Sequence, residues 1–141
     1  MTNALPLIAR ILIALVFIPG AIFKIIGFDQ TVGFMESVGF PAAAVFLIIG
    51  AVIEIVGGLS VLLGYKSEWG AAILVVFLLV ATIVFHRDIA DQNQFVQVTK
   101  NLAIMGGLLL VIHFGPGPYA LGSTPKKKPA PIEVDEGDSE D

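Results

Sequence analysis

Cysteine is absent from all 141 residues. That removes disulfides, thiol relays and thiolate metal sites, so a redox role would have to draw on a cofactor from outside the chain. Charge is scarce too. Asp, Glu, Lys and Arg make up 14% of residues against 56% hydrophobic, and the mean hydropathy of +0.89 is far from the balance of a water-soluble domain. Most of the net charge of −4 comes from the C-terminal end, where Glu133, Asp135, Glu136, Asp138, Glu140 and Asp141 crowd into the last nine positions. Up to Thr124 five basic residues stand against six acidic ones, which excludes the basic surface of a nucleic-acid binder. A phosphate-binding glycine loop, histidines at metal-ligand spacing and a nucleophile with an evident base are also missing. No metal site and no catalytic residue is therefore assigned.

What the chain does have is long apolar blocks without the alternation that leaves one helix face wet. A bilayer core of about 30 Å needs roughly 20 helical residues. Four blocks meet that length: Leu5 to Ile26, Ala42 to Leu63, Trp69 to Phe85, and Phe95 to Phe114. The expected fold is all-α, a transmembrane four-helix bundle with the lipid bilayer as its first partner. The first block has no basic stretch ahead of it, carries Arg10 inside it and is followed by no convincing cleavage site, so it is expected to be a retained span and not a signal peptide. Pro19 should kink it and free a carbonyl. The loop from Gly27 to Pro41 has room for a short amphipathic piece around Phe34 and Met35. Gly115-Pro116-Gly117-Pro118 stops the last helix. The chain thus divides into a membrane domain, 1–122, and a Lys-, Pro- and acid-rich tail, 123–141, expected to be disordered. Four spans put both termini on one side. Lys66 and the tail lysines lie there against Arg87 opposite, which predicts cytoplasmic termini.

An ionisable group in hydrocarbon costs roughly 2.5 to 3.5 kcal/mol on insertion scales, so each one needs a partner or a task. Arg10 and Lys24 lie fourteen residues apart on the first span, close to four helical turns, and share a face with Phe17 and Gly20. On the second span Gly50, Glu54 and Gly58 share a face. Aligning the ends of the two helices leaves Arg10 and Glu54 offset by roughly 7 Å along the axis, within reach of an arginine, so an intramembrane Arg10–Glu54 pair is expected. Lys24, His86, Lys100 and Asn101 fall at a similar depth near the opposite end, and three potential cations together invite an anion or a ligand oxygen. The alternative is that the lysines snorkel to the headgroups and His86 is interfacial. His113 is read as interfacial. Gly20, Gly50, Gly57, Gly58, Gly106 and Gly107 are read as helix-packing residues.

The order Arg10, Phe17-x-x-Gly20-x-x-x-Lys24, the loop GFDQTVGFMESVGFP, Glu54 ahead of Gly57-Gly58, His86, Lys100-Asn101 and Gly106-Gly107-Leu108 resembles the DoxX family of bacterial membrane proteins over about Leu5 to Gly122. The resemblance implies an inner-membrane bundle with relatives linked to redox systems, including a subunit associated with thiosulfate oxidation to quinone and a partner of superoxide dismutase. It supplies no reaction. Three readings stay open. The first is a subunit or accessory factor of a redox complex, holding a quinone-like or small anionic ligand between Lys24, His86, Lys100 and Asn101 as donors. The second is a non-catalytic scaffold whose tail recruits a partner protein. The third is a small transporter, which with four spans would work as a homo-oligomer.

Overall fold

A computed structural model describes residues 4–122; the expected disordered tail lies outside the described residues. Five helices follow in order: α1 (Leu5–Ile26), α2 (Phe28–Ser37), α3 (Ala43–Leu63), α4 (Ser67–Phe85) and α5 (Gln92–Phe114). No strand occurs among the described residues. Four of the helices, α1, α3, α4 and α5, have the length and apolarity to cross a membrane. Burial supports that reading. Ile26, Phe23, Trp69 and Phe114 are each at least 70% exposed, and large apolar side chains line the outer faces of all four helices. Such a belt has no place in water but suits lipid. The protein is a four-span, all-helical membrane protein.

α1 packs along α3, α3 against α4 and α4 against α5, while α1 and α5 touch only sparsely. Phe17, Val61, Leu74, Leu108 and Met105 form the central core. Adjacent glycines turn α3 toward both of its neighbours. A Cβ on Gly57 would stand 2.7 Å from Leu74 of α4, and one on Gly58 would stand 2.9 Å from Ile18 of α1. Gly50 lies against Phe77, where a Cβ would come within 3.1 Å, and Gly107 has ordinary contact with Ile13 at 3.5 Å. Gly20 and Gly106 differ from the packing expectation, because a Cβ on either would meet no heavy atom within 4 Å. Their small size leaves open space instead of admitting a neighbouring helix. α1 runs unbroken through Pro19.

α2 is the amphipathic piece expected in the first loop. Its Met35 packs with Ala43 and Leu47 of α3, and Phe40 and Phe85 cover them. The fourth span starts three residues earlier than hydropathy placed it, because the Asp91 side chain caps α5 by accepting from the Gln94 N–H at 2.9 Å. A carboxylate at that position satisfies a free helical donor.

At the end that carries the termini, the segment after α5 folds back under the bundle. The Leu121 and Gly122 N–H groups donate to the Leu63 and Gly64 carbonyls at 3.0 and 3.3 Å. Gly64 closes α3 with φ +69°, and a Cβ there would collide with the Arg10 guanidinium and with Ala120.

The glycine geometry separates two substitutions. Gly57→Ala forces its methyl into Leu74 and should cost about 1–3 kcal/mol. Gly106→Ala faces open space and should be neutral or slightly stabilising by helix propensity. Thermal unfolding of both variants in mild detergent, with a lower Tm for Gly57→Ala alone, checks this.

Candidate functional site

The polar face of α1 has its two charges at different tasks. Arg10 is 1% exposed. Its Nη2 donates to the Tyr119 carbonyl at 2.8 Å, while Nε and Nη1 are buried without a partner among the described residues. Lys24 Nζ donates to both carboxylate oxygens of Glu54, at 2.6 and 2.7 Å. The Lys24 ammonium also stands 5.7 Å from the centre of the Phe77 ring. The expected Arg10–Glu54 pair is therefore replaced by Lys24–Glu54. The reason is register. α3 ends at Gly64, level with Arg10 and not with Leu5. Glu54, ten residues up from Gly64, then lies about 15 Å beyond Arg10 along the axis, out of an arginine's reach. Lys24 is about 21 Å beyond Arg10, and its four-carbon stem covers the rest.

Lys24, Glu54, His86, Lys100 and Asn101 all line one cavity of about 880 Å³. The volume lies within the range of small-molecule sites. The rest of the wall is mostly apolar, with Phe17, Met35, Phe46, Ile53 and Phe77 among its side chains. Ile49, Val76 and Val80 belong to the lining and are also about half exposed on the outer faces of α3 and α4, so the cavity reaches the lipid-facing surface. α2 closes its far end with Thr31, Phe34 and Met35. Gly20 lines it as well, and the space beside this glycine is part of the cavity.

Inside the cavity the polar groups are not equivalent. Lys24 and Glu54 satisfy each other, with side-chain exposures of 39% and 7%. Lys100 is exposed to the cavity with no carboxylate within 4.0 Å among the described residues. Asn101 is 8% exposed, and its Nδ2 donates to Thr82 Oγ1 at 2.9 Å. Thr82 in turn donates to the Leu78 carbonyl at 2.6 Å. Sequence reasoning passed over Thr82, although a hydroxyl within a span back-bonds to the preceding turn and can accept from a neighbouring helix. His86 follows the last residue of α4. Burial first, then the Lys100 charge, pushes its imidazole below the ordinary value, so it is neutral at pH 7. Among the described residues no three His, Asp or Glu side chains gather as metal ligands.

The DoxX family profile matches residues 5–87, from the start of α1 through His86 and Arg87. The chain belongs to the DoxX family. Inner membrane protein YqjF of Escherichia coli K12 is 35% identical over 122 residues, covering 86% of this chain and 92% of its own length. Inner membrane protein YphA of the same organism is 32% identical over 121 residues, covering 82% and 86%. The uncharacterized membrane protein Rv3486 of Mycobacterium tuberculosis is 30% identical over 123 residues, covering 79% and 76%. No solved structure matches. The profile of the DoxX family thus includes Lys24, Glu54 and His86 and stops short of Lys100 and Asn101, which α5 adds to the same wall.

Two tests follow. Glu54→Gln leaves the Lys24 ammonium unanswered beside hydrocarbon. The expected loss is about 1–3 kcal/mol, below the usual cost of breaking a fully buried pair because Lys24 is partly exposed. Lys24→Met combined with Glu54→Gln should recover most of it in a double-mutant cycle of detergent stability. The His86 imidazole, depressed in the folded state, binds fewer protons than in the unfolded state below about pH 6.5, so its contribution to stability is present above that pH and is lost as pH falls through the depressed value. A nuclear magnetic resonance titration should place His86 below the ordinary imidazole value, and Lys100→Gln should move it upward.

Proposed function

We propose that this DoxX protein is the ligand-holding membrane subunit, or accessory factor, of a redox system, and that its ligand is a lipid-soluble molecule of quinone type. The observation that carries this reading is the distribution of polarity in the 880 Å³ cavity. Its polar groups are few, chiefly Lys100, His86 and Asn101 with the mutually paired Lys24 and Glu54, while the rest of the wall is mostly apolar and reaches the lipid face. That arrangement suits a flat, oxygen-bearing head with an apolar tail that enters from the membrane. Lys100 supplies a charged donor to a ligand oxygen, and charge-assisted hydrogen bonds are the stronger kind. The Lys24–Glu54 pair fixes α1 against α3 and so holds the cavity wall. A neutral His86 keeps one ring nitrogen as donor and one as acceptor, which suits a group that gains and loses protons.

In this reading the termini lie in the cytoplasm, as the lysine distribution predicts, and the cavity's polar end faces the outer leaflet. An electron-carrying protein partner supplies the redox chemistry that the cysteine-free chain lacks, and association of several copies is compatible with the lipid-exposed outer faces.

Solvent extraction of protein purified in mild detergent should yield a quinone in roughly stoichiometric amount. Lys100→Ala with His86→Ala should lose it while the unfolding temperature stays near that of wild type. Extracts that carry only phospholipid in both preparations would remove the quinone reading.

A further inference from the structure

The hydrogen bond between Asn101 and Thr82 determines which way the Asn101 amide faces. A hydroxyl has one proton to give, and Thr82 gives it to the Leu78 carbonyl at 2.6 Å. Thr82 Oγ1 can therefore only accept from Asn101, and the group 2.9 Å away must be the amide nitrogen, Nδ2. Thr82 is buried outside the cavity lining, whereas Asn101 belongs to it. The amide nitrogen is thus drawn into the α4–α5 contact, and the carbonyl oxygen, Oδ1, is left as the open acceptor of a residue that is 8% exposed. One of the two Nδ2 protons is committed to Thr82, and Oδ1 is the acceptor that Asn101 can offer a ligand.

We infer that the site is built to receive a hydroxyl proton as well as to donate to an oxygen, and so prefers the reduced, hydroquinone form of its ligand over the oxidised quinone. This rests on the quinone-type reading of the cavity. A hydroquinone O–H donates to Asn101 Oδ1, and a ligand oxygen accepts from Lys100, one residue away on the same helix. A quinone carbonyl has no proton to offer, so it leaves Oδ1, on a residue that is 8% exposed, without a donor from the ligand. Thr82 is a positioning residue: it acts on the ligand only through the orientation it imposes on Asn101. His86 lies one turn after Thr82, its N–H donating to the Thr82 carbonyl at 3.0 Å, so the oriented amide and the imidazole sit at the same end of the cavity.

The test is equilibrium binding of decylubiquinone and of decylubiquinol, under anaerobic conditions, to the full chain in detergent, with protein-free micelles as reference. Wild type should bind the reduced form about tenfold more tightly, the effect of one hydrogen bond in a protected site. For a two-electron couple that ratio raises the midpoint potential of the bound quinone by about 30 mV. Thr82→Val removes the acceptor that orients the amide, and Asn101→Leu removes the amide; either should bring the two affinities within about twofold by weakening the reduced form. Equal affinity in wild type, or tighter binding of the oxidised form, would overturn the inference and leave the quinone-type site standing. If neither form binds above the micelle reference, the quinone-type site and the inference drawn from it both fall. The wild-type comparison decides the matter even where Asn101→Leu fails to fold.

Discussion

Glu54 has to be answered inside the bundle, because a carboxylate facing hydrocarbon costs several kcal/mol and no water is at hand to screen it. The answer comes from Lys24, and it is available only because α3 is set about one and a half turns along α1. That register is held at the opposite end, where Arg10 lies beneath the left-handed Gly64 and binds the Tyr119 carbonyl. The glycines at positions 57 and 58 make the same register possible by letting Leu74 and Ile18 come close on either side of α3. Arg10 and Lys24 share one face of one helix. The first, almost wholly buried, anchors the alignment, and the second, partly open, delivers a counter-ion where that alignment puts the carboxylate.

The cavity is walled mainly by α3 and α4, with Gly20 and Lys24 of α1 and Lys100 and Asn101 of α5 completing it. The missing side chain of Gly20 leaves space beside it that no heavy atom fills within 4 Å. Amphipathic α2 bends over the distal end because Met35 finds an apolar seat against Ala43 and Leu47. Polar residues then accumulate at that end by geometry. Lys24 closes α1, His86 follows α4, and Lys100 and Asn101 stand in the third turn of α5.

Much of this was legible in the sequence because the bilayer imposes a length. The first span was read at both ends, the second within one residue and the third within two, since an apolar run has to match the hydrocarbon thickness. The start of α5 was missed by three residues: Gln92 to Gln94 are polar and lie beyond the apolar run, and it is the Asp91 cap that makes them helical. Helix lengths in the sequence put Lys24, His86, Lys100 and Asn101 at a similar depth, and the four line one cavity. The partner of Glu54 was not legible, because depth estimates assume that helix ends are level, and only the contact of Arg10 with Gly64 reveals the shift. The fold-back of Tyr119 to Gly122 was equally invisible, as it consists of main-chain hydrogen bonds that any residue can make. For the glycines, sequence could suggest close approach but could not separate Gly57 from Gly20.

The charge facing the cavity bears on what it can hold. Three potential cations at similar depth suggested an anion, yet Lys24 is spent on Glu54, and burial together with Lys100 keeps His86 neutral near pH 7. What remains is a single ammonium, on Lys100. A phosphate carrying two charges would bring at least one uncompensated negative charge into a wall that is otherwise apolar, at a cost of several kcal/mol. A neutral head with partially charged oxygens needs only one charge-assisted donor and an oriented acceptor, and Lys100 with Asn101 supplies that set. The electrostatics inside the bundle therefore disfavour a multiply charged anion, and in the proposed reading Lys100 is met by a ligand oxygen.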